Sequence, residues 1–299
     1  MTARLDAIRA ALAQSFDDYG EFAVTSAGLS TVTIANISTT QATASTEAYN
    51  EAWVFALATG AASGQQRRVN TNGYTGATGA LQLNVNWSLI PSVNDPVKIT
   101  RLLPCTQQTG QPHTSYLTCM NRGLGKLLVR DRVPLAITTS ESYALTTWAA
   151  WLDRPERLLR VYEPSPTGGA RTVPCDWRTP RLVPDAGGPT LELDAPFSTA
   201  SGNLILEVLR PANSNVAVAG VWAESTVGLV NESDVVDVSL EEAVMVARVE
   251  VFRVLMTRRD GERPRIDLDA AYETALQAAR ELPLYEFGMR AQPQQQEAA

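Results

Sequence analysis

Between Ala80 and Arg101, apolar Leu81, Leu83, Val85 and Trp87 alternate with Gln82, Asn84 and Asn86. That is the two-residue period of a strand with one face in a core and the other in water. Ile90 to Pro96 breaks the pattern, because two prolines and an Asn-Asp pair carry turn chemistry. Val97 and Ile99 then resume it across Lys98. The stretch predicts a strand pair joined by a loop. Upstream, Phe22–Val24, Thr31–Ile34 and Trp53–Leu57 are short β-prone runs. Gln65–Val69 leads into Asn72-Gly73, a turn signal. Residues 20–104 therefore predict an antiparallel sandwich or small barrel.

Helical spacing occurs in three places. Leu5, Ile8, Leu12 and Phe16 recur every three or four residues, which predicts an amphipathic helix within Thr2–Asp18, with Thr2 as cap and Gly20 as stop. Tyr116, Met120, Leu124, Leu127 and Leu128 predict a short helix within residues 105–132, linking the first β unit to a second. Near the C-terminus, Ser233, or Ser239 with Glu242 as a capping box, opens a helix. Its expected stripe is Leu240, Val244, Ala247, Val251 and Leu255, and Arg258-Arg259-Asp260-Gly261 ends it. A second helix restarting at Asp267 or Asp269 and ending by Pro283 completes a hairpin. Between these helices, residues 133–222 hold the second β unit. Pro134–Ile137, Tyr143–Trp148, Leu158–Tyr162, Thr190–Leu193 and Asn203–Leu209 are its strands, and the last, continuously apolar, is expected to be central. The fold class expected is α+β, mainly β: two antiparallel sandwich- or barrel-like units joined by a short helix. Segment boundaries fall at 1–19, 20–104, 105–132, 133–222, 223–290 and 291–299, the last a polar tail too hydrophilic to fold alone.

Composition narrows the class. The chain has 299 residues, 44% of them hydrophobic, enough for two domains with real cores. No run approaches the ~18 apolar residues of a membrane span, and Arg4, Asp6, Arg9, Asp17 and Asp18 interrupt any apolar leader. Three widely spaced cysteines, Cys105, Cys119 and Cys175, suggest neither a disulfide framework nor a zinc site. They read as reduced thiols in a protein made in a cytosol. The net charge of −7 is uneven: residues 1–100 carry −2, residues 101–181 carry +5, and residues 182–299 carry −10. Such polarity suits binding to another copy through opposite faces, or a basic middle turned towards nucleic acid, or plain solvated faces.

Candidate chemistry is sparse. Gly73, Gly76 and Gly79 lack the Lys-Ser/Thr and following helix of a phosphate loop, and Gly123-Leu-Gly125-Lys126 fails similarly. His113 is the only histidine, and beside a proline at a helix start it reads as a surface or capping residue rather than a catalytic base. Trp148 and Trp151 lie near Arg154, Arg157 and Arg160, an arginine-aromatic interleaving that more often forms the core and rim of one sheet and otherwise suits a partner surface, single-stranded nucleic acid or carbohydrate. Asp234 and Asp237 are expected in the first turn of a helix, where negative charge is favoured, and there they are candidate partner contacts rather than metal ligands. No cofactor or metal is expected.

The chain shows, in order, Gln65-Gln66-Arg67-Arg68-Val69, Tyr74-Thr75-Gly76 to Gly79-Ala80-Leu81, Trp87, Pro91 and Asp95. Met120-Asn121-Arg122-Gly123-Leu124, Ser142-Tyr143-Ala144-Leu145 and Arg160-Val161-Tyr162 follow, and a helical pair closes the series. This order, over roughly residues 20–283, resembles the structural proteins of tailed double-stranded DNA bacteriophage virions, in particular those of the neck and tail region. The resemblance implies a non-enzymatic ring or sleeve subunit in the virion, made in the host cytoplasm. Its implied partners are copies of itself, portal, tail-tube or adaptor proteins, and DNA in a channel. A carbohydrate- or receptor-binding virion module using Trp148, Trp151 or Trp177 is the alternative. A hydrolase is disfavoured by the single histidine and the lack of a nucleophile elbow.

Overall fold

The computed structural model describes residues 2–34, 49–56, 62, 64–76, 78–106, 115–145, 157–165, 172–183, 189–198, 200–213, 234–257, 266–283 and 285. His113, Trp148, Trp151, Arg154, the Arg258–Gly261 stop and the 291–299 tail lie outside them. The mainly β, α+β class is borne out, and the described residues gather around three hydrophobic cores.

The first core is enclosed by a barrel. After β1 (Ala3–Arg4), strands β2 (Gly20–Ala27), β3 (Thr31–Ile34), β4 (Trp53–Ala56), β5 (Gln66–Thr75), β6 (Ala80–Leu83) and β7 (Pro96–Thr100) close in the order β2-β3-β6-β5-β4-β7. Every pairing is antiparallel, and closure leaves no free edge. Val24, Val32, Val54, Leu81, Val97 and Ile99 fill the interior. β6 and β7 both form, but they do not pair with each other: β6 lies between β3 and β5, and β7 between β2 and β4. Alternation specifies which face is buried and not which strand is the partner. The expected strand through Trp87 ends at Leu83, leaving Trp87 buried from the following loop.

Asn72-Gly73 is not a turn. β5 runs through it with a register irregularity between Val69 and Tyr74 against β6. A Cβ on Gly73 would sit 2.5 Å from the Gln82 carbonyl oxygen, so the glycine serves a close strand approach. The turn falls at Thr75–Gly79, where Gly79 has φ +68° and its N–H donates to the Thr75 carbonyl at 2.9 Å.

The second core is helical. It packs α1 (Leu5–Gln14), α2 (Tyr116–Leu124), α3 (Leu240–Thr257) and α4 (Ile266–Arg280) together, with β1 paired to β15 (Val235–Val236). The predicted N-terminal helix, linker helix and C-terminal hairpin thus share one core. α1 begins at Leu5 because Ala3–Arg4 is taken into the β1–β15 pair, and it ends before Gly20, which starts β2. α2 is capped by Ser115, whose Oγ accepts from the Thr118 N–H at 3.1 Å. The helix stops at Leu124, so Leu128 belongs to the next strand.

At α3 the capping box forms: Glu242 N–H donates to Ser239 Oγ at 3.2 Å, and Ser239 N–H donates to Glu242 Oε2 at 2.9 Å. The buried face of α3 differs from the expected stripe. Ala243, Val246, Ala247, Glu250, Val251 and Val254 are buried, whereas Leu240 is exposed. The reason is that α1, α2 and α4 all pack against this helix. Glu250 is kept there by Lys126 and by Arg253 at 3.0 Å.

The third core lies between two sheets. One has the order β11 (Thr172–Pro174), β10 (Leu158–Pro164), β14 (Asn203–Pro211), β8 (Leu128–Ala136). The other is β12 (Arg181–Val183), β13 (Thr190–Glu192), β9 (Ser142–Ala144). Val133, Tyr143, Val161, Leu191, Leu204 and Leu206 pack between them. β14 is internal, as its apolar run predicts, registered against β8 from Asn203↔Ala136 to Pro211↔Leu128.

Polar groups fasten the three parts. Asp18 Oδ1 accepts from the Arg101 N–H at 2.5 Å and the Leu102 N–H at 3.0 Å, and Oδ2 accepts from the Tyr116 hydroxyl at 2.7 Å. Trp53 and Phe55 alternate with the inward Val54 and Ala56, yet are themselves buried on the outer wall of the barrel. The guanidinium of Arg9 on α1 lies 4.8 Å from the Phe55 ring. Buried Arg210 at the end of β14 bonds Asp131 at 2.8 Å and also Asp237, tying the sandwich to the segment that enters α3.

Candidate assembly surfaces

Antiparallel pairing makes strand direction alternate around the barrel. The β2–β3 turn, the start of β5, the end of β6 and the start of β7 therefore share one mouth. The other mouth holds Gly20 and Thr100, beside the Asp18 junction. At the first mouth the loop 84–95 carries Val85, Leu89, Ile90 and Val93, which are 58%, 56%, 40% and 59% exposed, and the neighbouring turn carries Leu29 at 58%.

This loop is pinned along its length. Gln65 Oε1 accepts from the Ser88 N–H at 2.8 Å while its Nε2 donates to the Leu89 carbonyl at 3.1 Å. Arg67 Nε donates to the Asn86 carbonyl at 2.8 Å, and its guanidinium lies 5.3 Å from the Trp87 ring. The Trp87 N–H donates to the Leu29 carbonyl at 2.7 Å, and the Ser92 N–H to Asp95 Oδ2 at 2.8 Å. With its backbone bonded and Trp87 inside, the loop holds its aliphatic side chains outward.

A second apolar feature lies on the helical body, a groove of about 680 Å³ between α1, α3 and α4. Ala11, Val244, Met245, Ala271, Ala275 and Ala278 line it, with Leu240, Glu241 and Arg248 also on its wall. Alanines at 271, 275 and 278 fall on one face of α4, so this wall is shallow and apolar.

A third depression, about 620 Å³, is polar and lies on the outer face of the four-stranded sheet. Arg130, Leu159, Arg160, Asp176, Pro180 and Glu207 border it. Its cations are matched by anions: Arg160 donates to Asp176 at 2.8 Å, and Arg130 lies 3.8 Å from Glu207, which also accepts from the Tyr162 hydroxyl at 2.9 Å. Nearby Trp177 is 61% exposed, with its Nε1–H donating to Glu163 at 2.6 Å. The Arg178 guanidinium lies 3.7 Å from the Trp177 ring and 4.0 Å from that of Phe197.

Of the residues the sequence singled out, Arg160 alone among the described ones borders an exposed depression. Arg157 is 5% exposed, as the core-and-rim reading of this stretch has it, and is not placed as a surface contact. Asp234 and Asp237 flank the short strand β15 and do not lie in a first helical turn, which is instead occupied by Glu241 and Glu242. Asp237 is engaged by Arg210 and the Asp234 carbonyl accepts from the Leu5 N–H at 2.8 Å, so both serve the intramolecular frame. Sequence reasoning missed Leu29, Leu89, Ile90 and Val93 as surface residues. The available signal was an aliphatic run without charge inside a proline-rich loop.

Chemistry within the described residues is limited. They contain no group of three His, Cys, Asp or Glu side chains placed to hold a metal. Burial, followed by the Glu163 carboxylate, pushes the Cys175 thiol up to about 12, which leaves it without thiolate character. No family model, no curated protein and no solved structure matches the chain.

Proposed function

We propose that the chain is a non-enzymatic structural subunit of a tailed-phage virion, assembling with copies of itself into a ring or sleeve at the neck or tail. In this reading its further partners are portal, tail-tube or adaptor proteins, and a central channel brings it near DNA. The observation that carries the reading is the pinned barrel-mouth loop. Five large aliphatic side chains held into solvent at one place are an association surface, since a monomer gains nothing from hydrogen bonds that prevent their collapse. The apolar groove on the helical body is a second such surface. The order of elements along the chain supports the virion setting. The test is the mass of the purified chain by light scattering across a wide concentration range. Discrete high-order species are expected, and a solitary monomer at every concentration refutes the reading.

One observation favours a receptor- or carbohydrate-binding module instead. Trp177 is largely exposed and held by Glu163 and Arg178, which makes it a fixed platform of the kind sugars stack on. Quenching of tryptophan fluorescence by a saccharide, lost in Trp177→Ala, is the result that reading requires.

A further inference from the structure

Five of the ten exposed large apolar side chains among the described residues cluster at the barrel mouth. They form a convex feature, and the α1–α3–α4 groove is a concave one of matching polarity. We propose that the 84–95 loop of one copy seats in the α1–α3–α4 groove of a second copy, so that the chain associates head to tail. This inference rests on the self-assembling reading above and specifies the contact.

Three observations select a second copy as the occupant. The first is that the two features cannot satisfy each other within one chain. The loop is bonded to Gln65 and Arg67 along its length. On α1, Arg9 faces the barrel at Phe55, whereas Ala11 lines the groove. Two residues along a helix are rotated by roughly 200°, so the groove opens away from the barrel.

The second observation is charge. Residues 84–94 contain no ionisable side chain, and the one carboxylate that follows, on Asp95, already accepts from the Ser92 N–H. Inserting Leu89, Ile90 and Val93 against Val244, Met245 and Ala278 therefore brings no ion from the loop side, although the groove wall itself carries Glu241 and Arg248. A charged peptide or nucleic acid would bring ions of its own that lose water there.

The third is size. About 680 Å³ lies within the roughly 300–1,000 Å³ of sites that enclose a small ligand. It accommodates the few aliphatic tips of a turn and not a whole domain face. Because loop and groove are different patches, the contact is heterologous. Repetition generates a ring where the rotation closes and a filament where it does not.

The test uses full-length chains carrying one dead surface each. Leu89→Asp with Ile90→Asp disables the loop, and Val244→Glu with Ala278→Glu disables the groove. Leu89→Ser and Ala278→Lys serve as milder second variants. Circular dichroism and melting matched to the unsubstituted chain establish that each is folded, since the substituted positions are exposed or half-buried. The unsubstituted chain is expected to form higher oligomers. Either variant alone should associate more than about tenfold more weakly for each side chain lost. An equimolar mixture of the loop-dead and groove-dead chains should give a discrete heterodimer and nothing larger, because one good loop and one good groove remain. If the unsubstituted chain assembles and both variants assemble equally well, this contact is wrong while self-assembly stands. Loop variants that turn monomeric but form no heterodimer with groove variants also overturn it. An unsubstituted chain that stays monomeric removes the underlying reading together with this one.

Discussion

Replacing Asp18 by alanine should loosen the junction between the barrel and the helical body. Asp18 is 3% exposed and accepts from two backbone N–H groups, those of Arg101 and Leu102, and from the Tyr116 hydroxyl. Alanine leaves one buried donor and two part-buried ones without this acceptor, at a cost of up to roughly 1–3 kcal/mol each. The full sum is not expected, because the carboxylate itself is costly to bury. Burial raises its pKa above the ordinary 3.8 in spite of the opposing hydrogen bonds from Tyr116, Arg101 and Leu102. A net loss of about 3–5 kcal/mol at neutral pH follows, read from denaturant midpoints and from hydrogen exchange at the Arg101 and Leu102 amides. Asp18→Asn keeps an acceptor of the same shape and should lose only about 1 kcal/mol. The pH dependence separates the two effects. A carboxyl whose folded pKa is raised contributes stability that is fully present below the unfolded value and is lost as pH rises through the folded one. The unsubstituted chain should therefore gain on Asp18→Asn as pH falls from neutral towards 3.8. A loss below about 1 kcal/mol in Asp18→Ala, with unchanged exchange at both amides, would show that these bonds do not hold the junction.

Gly123→Ala should destabilise, although alanine is worth about 1 kcal/mol more than glycine inside a helix. The new Cβ would lie 2.7 Å from the Val246 carbonyl oxygen and 2.8 Å from the Ala247 nitrogen, both backbone atoms of α3. Forcing the two helices apart costs about 1–3 kcal/mol, and a raised melting temperature would refute the close crossing. Ser239→Ala should remove about 1 kcal/mol from α3. Its partner Glu242 has a pKa lowered from 4.5, first by the Ser239 hydroxyl and then by the Ser239 N–H. That stabilisation is present above 4.5 and disappears as pH falls through the folded value, so unsubstituted and Ser239→Ala chains should converge in acid. Cys105, Cys119 and Cys175 are buried thiols, none of them in a disulfide. A thiol reagent at mildly alkaline pH should modify none of them until denaturant is added, and rapid native labelling of Cys175 would contradict its raised pKa.

Strand positions were legible in the sequence because the barrel and sandwich each bury one face of most strands. β3 reads half-buried, buried, half-buried, buried, as Thr31–Ile34 suggests, and β14 reads as an internal strand from its apolar run alone. Pairing was not legible, since β2 meets β7 across most of the first unit and nothing local encodes that closure. Helix boundaries suffered where another element competed for the same residues, as β1 does for the start of α1. The stripe on α3 was misread because a one-sided amphipathic pattern assumes one packing partner, whereas α3 has helices on several sides. Arg157 is interior, which fits the core-and-rim reading of the arginine-aromatic stretch and not the partner-contact one.

The barrel-mouth surface was hidden for a different reason. Prolines and asparagines in residues 84–95 correctly announce a loop, and aliphatic residues in a loop ordinarily fold inward against the nearest core. What keeps Leu89 and Ile90 outside is the hydrogen bonding of Gln65 and Arg67 to the loop backbone, together with Trp87 filling the space beneath. The surface is therefore specified by residues about twenty positions away, at and just before the start of β5, whose own pattern gives no hint of it. Gln65 and Arg67 carry the orientation, and in the proposed head-to-tail assembly Leu89 and Ile90 carry the contact. Substitutions at the first pair should thus weaken association without removing a single aliphatic side chain from the loop.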